Sequence, residues 1–220
     1  MTLHLYGHPF SAYHQKVTTA FYEYELPFTL RMLNDGDDSV DKEFAELWPI
    51  RMMPLLVDEG RTVAESSVII EYLGRYRGSH PALIPADADA ALRVRFMDRF
   101  FDNYVMTPMQ RIVFDFLRAP EQRDAVGVSE AKERLERSYR WLDAQLEKGG
   151  PWATGDNFSL ADCAAAPSLF YADWVHPIPQ ELEHARAYRA RLLARPSFAR
   201  AVEEGRRFRS YFPPGAPDRD

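Results

Sequence analysis

The sequence predicts an α/β unit followed by an all-helical one. Three observations carry this expectation. Strand-like and helix-like segments alternate before residue 80, later segments with a hydrophobic period read as helix, and the stretch between them is rich in breakers: Gly78-Ser79-His80-Pro81-Ala82-Leu83-Ile84-Pro85-Ala86-Asp87. Residues 1–77 are therefore expected to form a first domain, 78–88 a linker and 89–220 a second domain.

Leu3 to Tyr6 is a short run of β-formers closed by the turn Gly7-His8-Pro9. Gln15 to Tyr24 carries helical spacing through Val17, Ala20, Phe21 and Tyr24. Phe28 to Met32 reads as a second strand, and Asp41 to Trp48 as a short helix ended by Pro49. Leu55 to Val57 and Thr62 to Ala64 flank Asp58-Glu59-Gly60-Arg61 and read as a hairpin. Ser67 to Leu73 is a helix that Gly74 is expected to stop. After the breaker-rich stretch, Ala90 to Val113 is a long amphipathic segment interrupted at Pro108, and Glu130 to Leu146 is another, ended by Gly149-Gly150-Pro151. Leu182 to Leu193 and Phe198 to Phe208 complete the set, before a final stretch, PPGAPDRD, that reads as frayed.

Between them, Phe158-Ser159-Leu160-Ala161-Asp162-Cys163 has the form of a capping box. Ser159 can satisfy free N–H groups of a new helix while Asp162 reaches back, and Phe158 can pack on Cys163. Loss of Asp162 is expected to cost about 0.5 to 2 kcal/mol on this reading. It also gives Cys163 a structural role, since no cation nearby would lower its pKa.

With 46% hydrophobic and 27% charged residues, the 220-residue chain has the composition of a soluble globular protein. A formal net charge of −6 gives no general pull toward nucleic acid or anionic membrane. The opening MTLHLYGHPF lacks the basic and apolar regions of a secretory signal, and no segment approaches the roughly 18 apolar residues of a membrane span. A cytoplasmic location is expected. One cysteine excludes an intrachain disulfide and any Cys-x-x-Cys motif, and no metal is expected.

Two features of Met53 to Ser67 do not suit a plain hairpin. Pro54 stands at the mouth of a strand, where a missing N–H is a liability, and Glu65-Ser66 sits where the second strand hands over to a helix. With the order strand, helix, strand, helix, strand, strand, helix and the helical half behind it, the chain resembles the cytosolic glutathione S-transferases, in particular serine-type members. The resemblance implies a thioredoxin-like first domain, a mixed four-stranded sheet with helices, that binds glutathione. It also implies an all-helical second domain that supplies most of the pocket for an electrophile, and a homodimer.

Carried onto this sequence, the resemblance makes Met53-Pro54 a cis-proline turn whose Met53 backbone pairs with the cysteinyl part of the tripeptide. Ser66, at a helix start, would hold the α-carboxylate of the γ-glutamyl group, and Glu65 its α-amino group. Gly7-His8-Pro9 is similar to a phi-type opening, and Ser11 to Val17 resembles a Ser-x-x-x-x-(Arg/Lys)-Val pattern in which Ser11 stabilises the glutathione thiolate. A helix cap is the other reading of Ser11. Tyr6 and Tyr13 are rival donors to the sulfur, while His8 and His14 have no relay to serve. Phe10, Tyr13, Tyr104 and Arg111 are the expected electrophile-pocket residues, with Trp174 a weaker candidate. Phe100, Phe101, Met106 and Met109 form a stripe more typical of core than of pocket. Glutathione-dependent isomerisation, dehalogenation and peroxide reduction use the same thiolate and stay open. So does a non-catalytic binding or scaffold protein on this fold, against which Ser11, Pro54, Glu65 and Ser66 argue.

Overall fold

The computed structural model describes residues 3–36, 38–78 and 82–220; Ser79, His80 and Pro81 of the expected linker lie outside the described residues. The first half runs β1 (Leu3–Gly7), α1 (Ala12–Glu23), β2 (Thr29–Met32), α2 (Asp38–Leu47), β3 (Leu55–Asp58), β4 (Arg61–Ala64) and α3 (Ser66–Tyr76). The second runs α4 (Ala88–Phe100), a π-helical turn (Phe101–Met106), α5 (Thr107–Asp115), α6 (Ala125–Leu146), α7 (Leu160–Val175), α8 (Glu183–Ala194) and α9 (Pro196–Arg206). Among the described residues no helix is long and apolar enough to cross a membrane.

The four strands lie in the order β2-β1-β3-β4, with β1 parallel to β2 and the other pairs antiparallel. Parallel β1 and β2 need a crossover, which α1 provides; β3 and β4 need only a turn. That turn takes positive φ at Glu59 (50°) and Gly60 (84°), the backbone that a two-residue hairpin favours. Alternation along β1 sends Leu5 into a core with Val17, Phe21 and Leu56, and Tyr6 to the other face with Leu33, Val40, Phe44 and Leu55. The first core continues without a break into the helical half, through Met97, Phe101, Tyr139, Leu160 and Phe170. Helix α1 lies at the junction, packed on α3, α7 and α9.

Two breaker readings need correction. Gly74 does not stop α3, which continues to Tyr76. Its glycine serves a close approach instead, because a Cβ there would stand 2.6 Å from the Tyr24 hydroxyl oxygen. Pro108 does not divide the long segment at its own position either: the irregular turn precedes it, and Pro108 sits in the first turn of α5. Proline has no N–H to offer the Tyr104 carbonyl four residues back. That carbonyl accepts from the Ser138 hydroxyl of α6 at 2.8 Å.

The capping box is present, and more is attached to it than the sequence pattern requires. Asp162 is fully buried and accepts from the Ser159 N–H (2.8 Å) and hydroxyl (2.9 Å), the Ala153 N–H (2.9 Å) and the Tyr188 hydroxyl (2.6 Å). Cys163 beside it is also buried, and burial pushes its thiol up. Part of the expected linker is packed rather than loose: Leu83 is buried, and its carbonyl accepts from the Leu160 N–H at 2.8 Å.

Candidate active site

The turn from β1 into α1 presents the first candidate group. Gly7 ends the strand against His14, whose Nδ1 would lie 2.3 Å from a Cβ at residue 7. Ser11 N–H then donates to the His8 carbonyl (2.8 Å), and Gln15 N–H to the Ser11 carbonyl (2.9 Å), so the turn feeds directly into the helix. Ser11 has the extended backbone of an N-cap, yet its hydroxyl makes no capping hydrogen bond. A partly exposed oxygen is thus left uncommitted at the amino end of α1. The turn is backed by α9: Gln15 Nε2 donates to the Pro9 carbonyl (3.0 Å), and a Cβ on Gly205 would come within 3.0 Å of both.

The neighbouring titratable groups are held neutral. Burial drives His14 down to about 3, and it lowers His8, whose Nδ1 accepts from the Phe10 N–H at 3.1 Å. Tyr6 points to the far face of the sheet, where its ring stacks on Phe44 at 6.2 Å and burial, together with Glu43, raises its phenol. Tyr13 lies on the Ser11 side. Burial raises its phenol strongly, Asp102, Glu65 and Asp98 add to the effect, and Arg99 opposes it.

The second wall comes from β3 and α3. The Met53–Pro54 bond is cis, and the β1–β3 ladder starts only at Leu55, leaving Met53 outside it. Glu65, the residue before α3, has φ 70° and ψ 119°, a left-handed conformation that non-glycine residues rarely take. It makes no side-chain cap, and its carbonyl opens the helix by accepting from Ile69 N–H at 2.8 Å. Ser66 follows, buried, in the first turn. Beside Met53, a pocket of about 400 Å³ is lined by the acid Asp41 and by Lys42 and Arg51, two cations that the sequence reading did not single out.

The reading had Lys16 only as the basic position of the Ser11 to Val17 pattern and missed the charges it pairs with behind this site. Lys16 of α1 is fully buried, and its Nζ lies 2.6 Å from Asp98 Oδ1 and 2.8 Å from Asp102 Oδ2, while donating to the Ser67 hydroxyl at 2.9 Å. Arg99, half exposed, pairs with both aspartates. Burial still pushes Asp102 up, against the pull of Lys16. A lysine on an otherwise apolar helical face and two aspartates four residues apart were the available signals.

An aromatic wall closes the site toward the helical half. Phe10 packs edge-on to Tyr171 (5.5 Å) and Phe212 (6.4 Å) and lies 6.4 Å from Trp174, and the Tyr171 hydroxyl donates to the Phe10 carbonyl at 3.0 Å. Trp174 Nε1 is buried without a hydrogen-bond partner. Phe100, Phe101, Met106 and Met109 are core residues. Tyr104 is half exposed against Phe100 (5.9 Å). Arg111 is not brought to the Phe10 wall; its guanidinium pairs with Asp124 (3.1 Å) and Glu130 (3.5 Å) at the start of α6. Among the described residues no three His, Cys, Asp or Glu side chains are grouped to hold a metal ion.

This geometry has counterparts. Residues 5–81 match the family described as glutathione S-transferase, N-terminal domain, and residues 121–191 match the corresponding C-terminal domain. The chain is 27% identical over 200 residues to a probable maleylacetoacetate isomerase 2 of Drosophila melanogaster, covering 84% of this chain and 86% of that protein. It is 28% identical over 172 residues to the glutathione S-transferase GstB of Escherichia coli K12, covering 76% and 81%. A crystal structure of a glutathione S-transferase from Methylobacillus flagellatus with glutathione bound superposes with a TM-score of 0.82 at 25% identity, over 91% of this chain and 98% of that one.

Proposed function

The chain belongs to the cytosolic glutathione S-transferase family, and from that membership we propose a serine-type enzyme that ionises bound glutathione and directs its thiolate to a small hydrophobic electrophile. The observation that carries the reading is the Ser11 hydroxyl, uncommitted at the amino end of α1. In this reading residues 1–77 bind glutathione. The Met53 backbone pairs with the cysteinyl part, Ser66 and the α3 amino end take the γ-glutamyl carboxylate, and Glu65 takes the α-amino group. Lys42 and Arg51 suit the remaining carboxylate of the tripeptide, since both line the pocket beside Met53.

A free thiol has a pKa near 8.5, and lowering it by about 2 units needs roughly 2.7 kcal/mol of preferential thiolate stabilisation. A hydroxyl hydrogen bond to the charged sulfur together with a helix amino end is of that size. Ser11 therefore stabilises charge rather than attacking. The thiol proton leaves to solvent, a carbon–sulfur bond forms, and the electron pair departs with the leaving group or, in an addition, is met by a returning proton. Tyr13, kept protonated by burial, is suited to a second hydrogen bond. Phe10 and Trp174 offer the electrophile an apolar surface.

The test is a titration of the chain with glutathione, following thiolate absorbance across pH and affinity by calorimetry. Saturable binding with a bound-thiol pKa well below about 8.5 is expected. No binding by the folded protein would favour the scaffold reading. The similarity to a probable isomerase over most of both chains favours one second reading, double-bond isomerisation by reversible thiolate addition. A cis-to-trans assay on a conjugated diacid, beside a standard conjugation assay, separates the two.

A homodimer completes the proposal. Leu92 (67% exposed) and Phe96 (53% exposed) lie one turn apart on α4, and Val68 of α3 is exposed as well. Sedimentation should give twice the chain mass, and Phe96→Asp should shift the protein toward monomer; a wild-type monomer at micromolar concentration would overturn this assignment.

A further inference from the structure

Helix α7 faces the aromatic wall with Trp174, while its neighbour Asp173 faces α8. Asp173 carries more cation than one carboxylate balances: Arg219 at 2.5 Å and Arg189 of α8 at 3.3 Å. It also accepts the Ile178 N–H at 2.8 Å. With Arg186 and Ile178, these residues line a pocket of about 410 Å³ between the end of α7 and α8. Arg186 reaches only the Gln180 carbonyl, at 3.4 Å. Three guanidinium groups therefore line a pocket whose one lining carboxylate is Asp173, already met by Arg189 and Arg219, in a chain whose formal net charge is −6.

Arg189 is the unusual member. Its side chain is only 12% exposed, and its buried Nε and Nη2 make no hydrogen bond; the 3.3 Å approach of Nη2 to Asp173 is attractive but misaligned. A buried cation with two adjacent unsatisfied donors is costly unless an acceptor meets them. The Nε–Nη2 edge of a guanidinium matches two oxygens of one oxyanion. We infer that this pocket binds a small oxyanion, the phosphate or carboxylate group of a metabolite, with Arg189 as the fork and Arg186 and Arg219 supplying charge. Its lining includes neither Phe10 nor Trp174, and the inference does not depend on the glutathione reading.

The experiment is calorimetric titration of the full chain at low ionic strength with sodium phosphate and, separately, with citrate. Saturable one-site binding of at least one of them is expected, weakened about tenfold by Arg189→Gln through loss of a charged two-point contact. Arg200→Gln, on α9, should leave the affinity unchanged. If circular dichroism shows that Arg189→Gln does not fold, the exposed Arg186→Gln replaces it with the same expectation of weaker binding. Preference for phosphate or for citrate identifies the source of the oxyanion. Absence of saturable binding by either anion, full affinity in the folded pocket variant, or binding lost in Ser66→Ala but not in the pocket variant would overturn the inference.

Discussion

An N-cap serine ordinarily spends its hydroxyl on the helix it opens, and Ser11 does not. A sulfur placed there would receive the whole hydrogen bond. Ser11→Ala should therefore lower kcat about 10- to 100-fold and move the acid limb of the pH–rate profile toward the free-thiol value, with KM for glutathione changed little. Ser66→Ala should do the opposite, raising KM with kcat nearly intact; steady-state kinetics across pH separate the two, and an unchanged profile in Ser11→Ala would move the thiolate role elsewhere. Both serines could be picked out in the sequence because they follow turn signals at fixed places in an ordered set of elements. The basic position of the Ser11 to Val17 pattern marked Lys16, but its partners Asp98 and Asp102, more than eighty residues away, left no local sign that they pair with it. Arg111 was offered for the pocket by the resemblance alone, and its pairing with Asp124 and Glu130 at the start of α6 is a contact that no local pattern announced.

At the scale of elements, strand and helix order was legible throughout the first half, since each element there is bounded by its own breaker. Misreadings came where a breaker serves packing. Gly74 lets Tyr24 approach α3, and Pro108 redirects the Tyr104 carbonyl to Ser138 of another helix. The capping box was legible as a motif, but its energetic weight was not, because two of the four bonds to Asp162 come from Ala153 and Tyr188, outside the motif. Asp162→Ala strands several buried donors rather than one cap. The expected loss is about 3 to 5 kcal/mol, above the 0.5 to 2 kcal/mol of a simple cap. Denaturant unfolding measures this, and a loss under about 1 kcal/mol would show that the extra bonds contribute nothing.

At the scale of the whole molecule, the two halves share one core, and α1 is its common wall. Lys16 ties that wall to the helical half through Asp98 and Asp102, with Ser67 of α3 beside them. Replacing it with methionine keeps the volume but leaves two buried carboxylates with Arg99 as the one cation paired with them among the described residues and the Ser67 hydroxyl on Asp98. Lys16→Met should cost about 3 to 5 kcal/mol, and Asp98→Asn combined with it should recover part of that loss. Thermal unfolding of the single and double variants reads the coupling, and strictly additive losses would mean that the lysine acts on its own. The same arrangement constrains descent. An exposed residue can drift alone, whereas a change at Lys16 removes the shared partner of Asp98 and Asp102 and a change at either aspartate alters the charge balance around it, so across a lineage these positions are expected to be inherited or exchanged as a set.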